Sequence, residues 1–106
     1  MDLSPIRGAV VPRANVYFDG RCVSHTLQLD DGSRKSLGVI LPGSCLLFDT
    51  AAAERMQGAG GWCEWRMSSG EAWQRSAEGE EFAVPANSRF EIRTGEQAYH
   101  YICHYD

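Results

Sequence analysis

The chain has 106 residues, 10 Lys+Arg against 14 Asp+Glu, and a formal net charge of -4 at pH 7. That length suits one domain, and 43% apolar with 23% charged residues is ordinary for a globular protein. No run approaches the roughly 18 apolar residues of a membrane span, and an acidic balance without a basic run argues against nucleic-acid binding.

Residues 1–14 form a Pro- and Arg-bearing tail with one short apolar patch, read as poorly ordered or as a packing arm. Residues 15–106 are read as a single domain. The opening MDLSPIRGAVVPRAN lacks a charged segment followed by a long apolar one, so no secretory signal is expected. Cys22, Cys45, Cys63 and Cys103 are widely spaced, form no C-x-x-C pair, and are read as buried reduced thiols. A cytoplasmic location is therefore expected.

From Asn15 onward, short apolar runs alternate with turn residues. Asp19-Gly20, Asp30 to Ser33, Pro42-Gly43, Gly58 to Gly61, Ser68 to Gly70, Glu78-Gly79, Pro85 to Ser88 and Thr94 to Glu96 are the punctuators. Their rhythm predicts an all-β sandwich or barrel. Within Arg21 to Leu29, Val23, Leu27 and Leu29 share one parity with His25 between them. In Trp62 to Met67, Cys63, Trp65 and Met67 oppose Trp62, Glu64 and Arg66. Phe90 and Ile92 oppose Arg89, Glu91 and Arg93, and Tyr99, Tyr101, Cys103 and Tyr105 oppose His100, Ile102 and His104. These patterns predict half-buried strands. His25 is read as an ordinary polar residue of a strand. His100 and His104 are read as surface or dimer-face residues, about 13 Å apart by strand rise and so not joined by one metal. Asp49 to Gln57 has helix propensity between Asp49 or Thr50 as a cap and Gly58 as a stop. With β-like runs on both sides, the reading here is a loop followed by a short strand. About ten strands with little helix predict an antiparallel barrel or jelly roll.

The run Gly79-Glu-Glu-Phe-Ala-Val-Pro85-Ala-Asn87-Ser-Arg-Phe90 resembles the second signature of the cupin superfamily. Asn87 suits the left-handed position of its tight turn. In metal-binding cupins the last position is a histidine ligand, and here it is Phe90. The first signature would supply two histidines and a glutamate, whereas this chain offers Asp49, Ala51 and Glu54. Two carboxylates without imidazole or thiolate make a poor transition-metal site, so no metal is expected.

Asn15-Val-Tyr-Phe-Asp-Gly20, Pro42-Gly43, Glu54-Arg-Met56, Trp73, the Phe82 to Phe90 run and the closing Tyr101-x-Cys103-x-Tyr105 occur in one order. Over residues 15–105 the chain is similar to the pyrimidine/purine nucleoside phosphorylase family of small single-domain cupins. Asn87, the Gly58 to Gly61 run and apparent extra residues near Cys45 to Leu47 and Ala98 to His100 depart from its pattern. The resemblance implies a cupin barrel (a double-stranded β-helix, or jelly roll) and reversible phosphorolysis. A purine or pyrimidine nucleoside and inorganic phosphate would give free base and ribose 1-phosphate, without a cofactor.

That chemistry needs donors for phosphate, a carboxylate facing an oxocarbenium-like transition state and an aromatic wall for the base. Glu54, at a former ligand position, is expected at the barrel mouth, and Asp49 shares its logic; both are candidate catalytic carboxylates. Arg55 and Arg89 are candidates for phosphate, although parity turns Arg89 outward, where an inter-subunit ion pair is the alternative. Gln74 and Ser88 are candidates for the ribose. Trp73 and Phe90 are candidate walls or core residues, and Tyr101 and Tyr105 face inward with phenols to offer. The skew of nine Arg to one Lys motivates a search for an anion site without locating one, codon bias in a GC-rich genome being its plainer explanation. Edge strands in so small a barrel need covering, which predicts a homodimer. Two rival readings stand beside the enzyme: a metal-free cupin that binds a sugar or nucleoside, and a metal-dependent cupin using Asp49 and Glu54.

Overall fold

The structure, a computed structural model, describes residues 4–67 and 70–105. Ser68 and Ser69 of the turn expected at 68–70 lie outside the described residues, as do residues 1–3 and 106. The described residues form eleven strands: β1 (Ala9–Val10), β2 (Asn15–Tyr17), β3 (Cys22–Gln28), β4 (Arg34–Ile40), β5 (Cys45–Asp49) and β6 (Glu54–Gly60). They continue with β7 (Trp62–Arg66), β8 (Gln74–Ala77), β9 (Glu81–Val84), β10 (Arg89–Thr94) and β11 (Tyr99–His104). A single 3-10 turn at Phe18–Gly20 is the one helical element among the described residues, and no helix there is long and apolar enough to cross a membrane.

The larger sheet runs β1-β3-β4-β11-β6-β9 with β2 also on β3, and the smaller runs β5-β10-β7-β8. Every pairing is antiparallel. The two sheets enclose one core containing Ile40, Met56, Phe82, Phe90, Ile92 and Tyr99, so the all-β barrel expectation holds. The segment with helix propensity resolves into a loop at 50–53 and strand β6. There the pairing of Glu54 to Gln57 with Val84 to Glu81 on one side, and with β11 on the other, overrides local preference. The β6–β11 register shifts between His100 and Tyr101, leaving Ala59 opposite no partner as a bulge. Asn87 has φ 54, the left-handed conformation expected of the turn after Pro85.

Strand parity holds on β7, β10 and β11, where Cys63, Phe90, Ile92, Tyr99, Tyr101 and Cys103 are buried. Three expectations need correction. On β3 the buried alternation is Cys22 and Ser24, while Val23 and His25 lie on the outer face. Leu27 is buried because the N-terminal segment covers it, with Val10 opposite and Gly8 against its side chain. Cys45 is exposed, because it lies on the outward parity of edge strand β5 with Leu47. His104 is buried on the outer side of β11, its Nδ1 2.6 Å from Lys35 Nζ and its Nε2 2.6 Å from Gln57 Oε1.

Candidate active site

A cavity of about 140 Å³ opens between the sheets. Its depth is lined by Ile40, Met56, Phe90, Ile92, Tyr101 and Cys103, with the hydroxyls of Ser24 and Ser36 beside them, and Tyr17, Phe48, Asp49, Glu54 and Tyr105 complete the lining. Neighbouring strands β4, β11 and β6 carry Ser36, Cys103 and Met56 to one wall, since Cys103 pairs with both.

Glu54 is the acidic residue of this wall. The Cys103 thiol donates to its Oε1 at 3.4 Å. Burial pushes the Glu54 carboxyl above the usual glutamate range, against the pull of that hydrogen bond and of the Arg34 charge. Burial, then the charge of Glu54, drives the Cys103 thiol up to about 12, which keeps it a protonated donor at neutral pH. Tyr105 Oη and Ser36 Oγ are 2.7 Å apart. Burial raises the phenols of Tyr101 and Tyr105, so both keep a proton to donate. The Tyr101 hydroxyl lies 3.4 Å from the Cys22 sulfur.

One rim of the cavity is aromatic. Phe48 stacks on Phe90 with centroids 5.4 Å apart, and Phe18 meets Phe48 edge-on at 5.3 Å. Phe18 and Asp19 both have φ 53, a left-handed backbone that a bulky residue adopts only under tertiary constraint. That conformation places the Phe18 ring against Phe48 and follows Tyr17, which is 47% exposed at the cavity.

Five residues singled out in the sequence meet at this cavity: Glu54, Asp49, Phe90, Tyr101 and Tyr105. Asp49 borders it, yet its carboxylate accepts from Arg89 Nε at 2.9 Å, both side chains being 72% exposed. Arg89 therefore has its ionic partner within the chain, because Asp49 is its register neighbour on β5. Arg55 points away from the cavity to Glu81, at 2.9 Å. Trp73 lies between the guanidinium groups of Arg66 and Arg93, at 4.1 and 4.2 Å, on the outer face of the smaller sheet. Gln74 is exposed at the start of β8. Ser88 shapes the turn before β10: its N–H donates to Thr50 Oγ1 at 2.9 Å and its hydroxyl to the Ala86 carbonyl. Arg55, Arg89, Trp73, Gln74 and Ser88 do not line the cavity.

Sequence reasoning missed Tyr17, Ser24, Ser36, Phe48, Cys103 and Arg34. Phe48 was recoverable from the alternation Leu46/Phe48 of β5, whose other parity is exposed. Arg34 carries no local signal; its guanidinium carbon lies 3.9 Å from the centroid of the Tyr105 ring. Among the described residues no three His, Cys, Asp or Glu side chains converge as a metal-ligand group.

The chain matches the pyrimidine/purine nucleoside phosphorylase family over residues 12–105. It is 59% identical to the pyrimidine/purine nucleoside phosphorylase of Ralstonia nicotianae, over 88% of this chain and 87% of that protein. It is 56% identical to that of Paracidovorax citrulli, over 92% of this chain and 90% of that one. A crystal structure of a protein of unknown function from Acinetobacter superposes with TM-score 0.92 at 38% identity, covering 99% of this chain and 100% of that one. The cupin domain of Cnp3 from Schizosaccharomyces pombe, at TM-score 0.64 and 15% identity over 81% of this chain and 66% of that one, shares the fold alone. On the sequence match and the shared barrel together, this chain belongs to the pyrimidine/purine nucleoside phosphorylase family.

Proposed function

We propose that this chain catalyses the phosphorolysis of purine and pyrimidine nucleosides in the cavity beside Glu54. The observation that carries this reading is a half-buried carboxylate facing a small, hydroxyl-lined cavity in a chain of that family. A cavity near 150 Å³ takes about one six-membered ring. At about 140 Å³ this one suits the ribose, with Ser36, Tyr105 and Glu54 as its polar partners, and leaves the base at the mouth. There Tyr17 and Phe48 offer ring faces, and stacking accepts any base because every base has a π face.

In the reaction a phosphate oxygen forms the bond to C1′ of the ribose as the C1′–N bond breaks. The electron pair of that bond stays on the base nitrogen, which gains the proton that the hydrogen phosphate gives up. Positive charge builds at C1′ in between, and the Glu54 carboxylate stabilises it, as glycosidase carboxylates do. Asp49 and Arg89 guard the rim as an ion pair.

A homodimer fits the outer face of the larger sheet, where Val23, Leu37, Val39 and Ile102 surround an open groove of about 540 Å³; sedimentation at micromolar concentration tests it. Four free thiols suit the reducing cytoplasm. Incubation with uridine or inosine, with and without inorganic phosphate, tests the activity itself. Phosphate-dependent release of base with ribose 1-phosphate is expected. Nucleoside binding without release would favour the non-catalytic nucleoside-binding reading.

A further inference from the structure

We propose that Arg34 is the phosphate-binding residue of this site, an assignment that rests on the phosphorolysis reading above. Arg55, Arg66, Arg89 and Arg93 are bound to carboxylates. Arg21 is held by Ser44 and the Pro42 carbonyl, and Arg75 lies over Trp62 on the outer face of the smaller sheet. Arg34, unlike these six, lies against a residue of the cavity wall and pairs with no carboxylate among the described residues: its guanidinium covers the Tyr105 ring at 3.9 Å.

That geometry suits an oxyanion. Stacking occupies the flat face of a guanidinium and leaves its N–H donors free along the edge, the fork that matches phosphate. The platform is firm, since Tyr105 is half-buried and its hydroxyl is bonded to Ser36. Glu54 lies within the field of the Arg34 charge. Phosphate at Arg34 would therefore place charges in alternation: guanidinium, phosphate, the cationic C1′ of the transition state, carboxylate. Without Arg34 the phosphate would meet a half-buried carboxylate unscreened.

The test compares wild type, R34Q and R34K by phosphate and uridine kinetics, and by the rise in Tm that inorganic phosphate produces. A charged hydrogen bond is worth about tenfold to a hundredfold, so R34Q is expected to raise the KM for phosphate by about that factor. The KM for uridine should stay within about threefold, and the phosphate-induced rise in Tm should shrink. R34K, with the charge but not the fork, should fall between. If R34Q does not fold, R34K alone decides, by a phosphate KM raised severalfold or unchanged. An unchanged phosphate KM overturns the assignment. An equal loss of phosphate and uridine affinity also overturns it, making Arg34 a packing partner of Tyr105. Wild type that releases no base would sink the phosphorolysis reading; the Arg34 site would still be supported by a phosphate-induced Tm rise that R34Q abolishes.

Discussion

Replacing Glu54 by Gln removes one negative charge and keeps both the shape and an acceptor for the Cys103 thiol. A full charge pair at about 4 Å, in an effective dielectric of about 20, is worth about 4 kcal/mol. The transition state carries less than a full charge at C1′ and water reaches the half-buried carboxylate, so about 2 kcal/mol is the fair magnitude, roughly thirtyfold in kcat/KM. The assay is phosphate-dependent base release from uridine between about pH 5 and 9. Wild type should lose activity on the acid side at a pH above the usual glutamate range, because burial holds the Glu54 carboxyl up. E54Q should lack that limb. The same variant reads stability. Glu54 titrates higher in the folded chain than in the unfolded one, so its contribution is full below the unfolded value and is lost as pH rises through the folded one. E54Q should therefore gain Tm relative to wild type at pH 7 and not at pH 4. A variant within about threefold of wild type, with the acid limb intact, would refute the role of Glu54.

Gly38 faces Tyr101 across β4 and β11, and a Cβ there would lie 2.5 Å from the Tyr101 Oη. Gly38→Ala should cost about 1–3 kcal/mol, seen as a Tm lowered by several degrees, and should reduce activity as the ring is pushed from its place. Trp73→Ala removes two cation–π contacts and should cost about 1–2 kcal/mol while leaving kcat/KM within about twofold of wild type; a large loss of activity would return Trp73 to the site. Phe48→Ala should raise the KM for uridine and inosine alike, by the roughly 1–3 kcal/mol of a base stacked on an aromatic ring. An effect on one base class alone would argue against stacking as the source of tolerance.

The barrel was legible in the sequence because its two signals are local. Side chains alternate with period two along β10 and β11, and turn residues such as Asn87 mark the reversals. Tyr101 and Tyr105 could be turned inward for the same reason, whereas Glu54 was placed at the mouth by its likeness to a cupin ligand position. Which face of a strand turns inward is another matter when both parities carry apolar residues. On β3, Val23 and Leu27 look like the core side, yet Cys22 and Ser24 line the barrel, since the N-terminal segment supplies a second cover for Leu27. Convergence was also invisible. Arg34 meets Tyr105 because β4 and β11 pair in register from Lys35 and His104 onward, and Glu54 meets Cys103 because β6 flanks β11 on its other edge. Likewise the Asp49 carboxylate is taken up by Arg89, its neighbour across the sheet. A one-dimensional pattern records each residue's own preference for a face. Only closure of the sheets decides which charges, rings and hydroxyls share a few ångströms, because that depends on pairings between strands far apart in the chain.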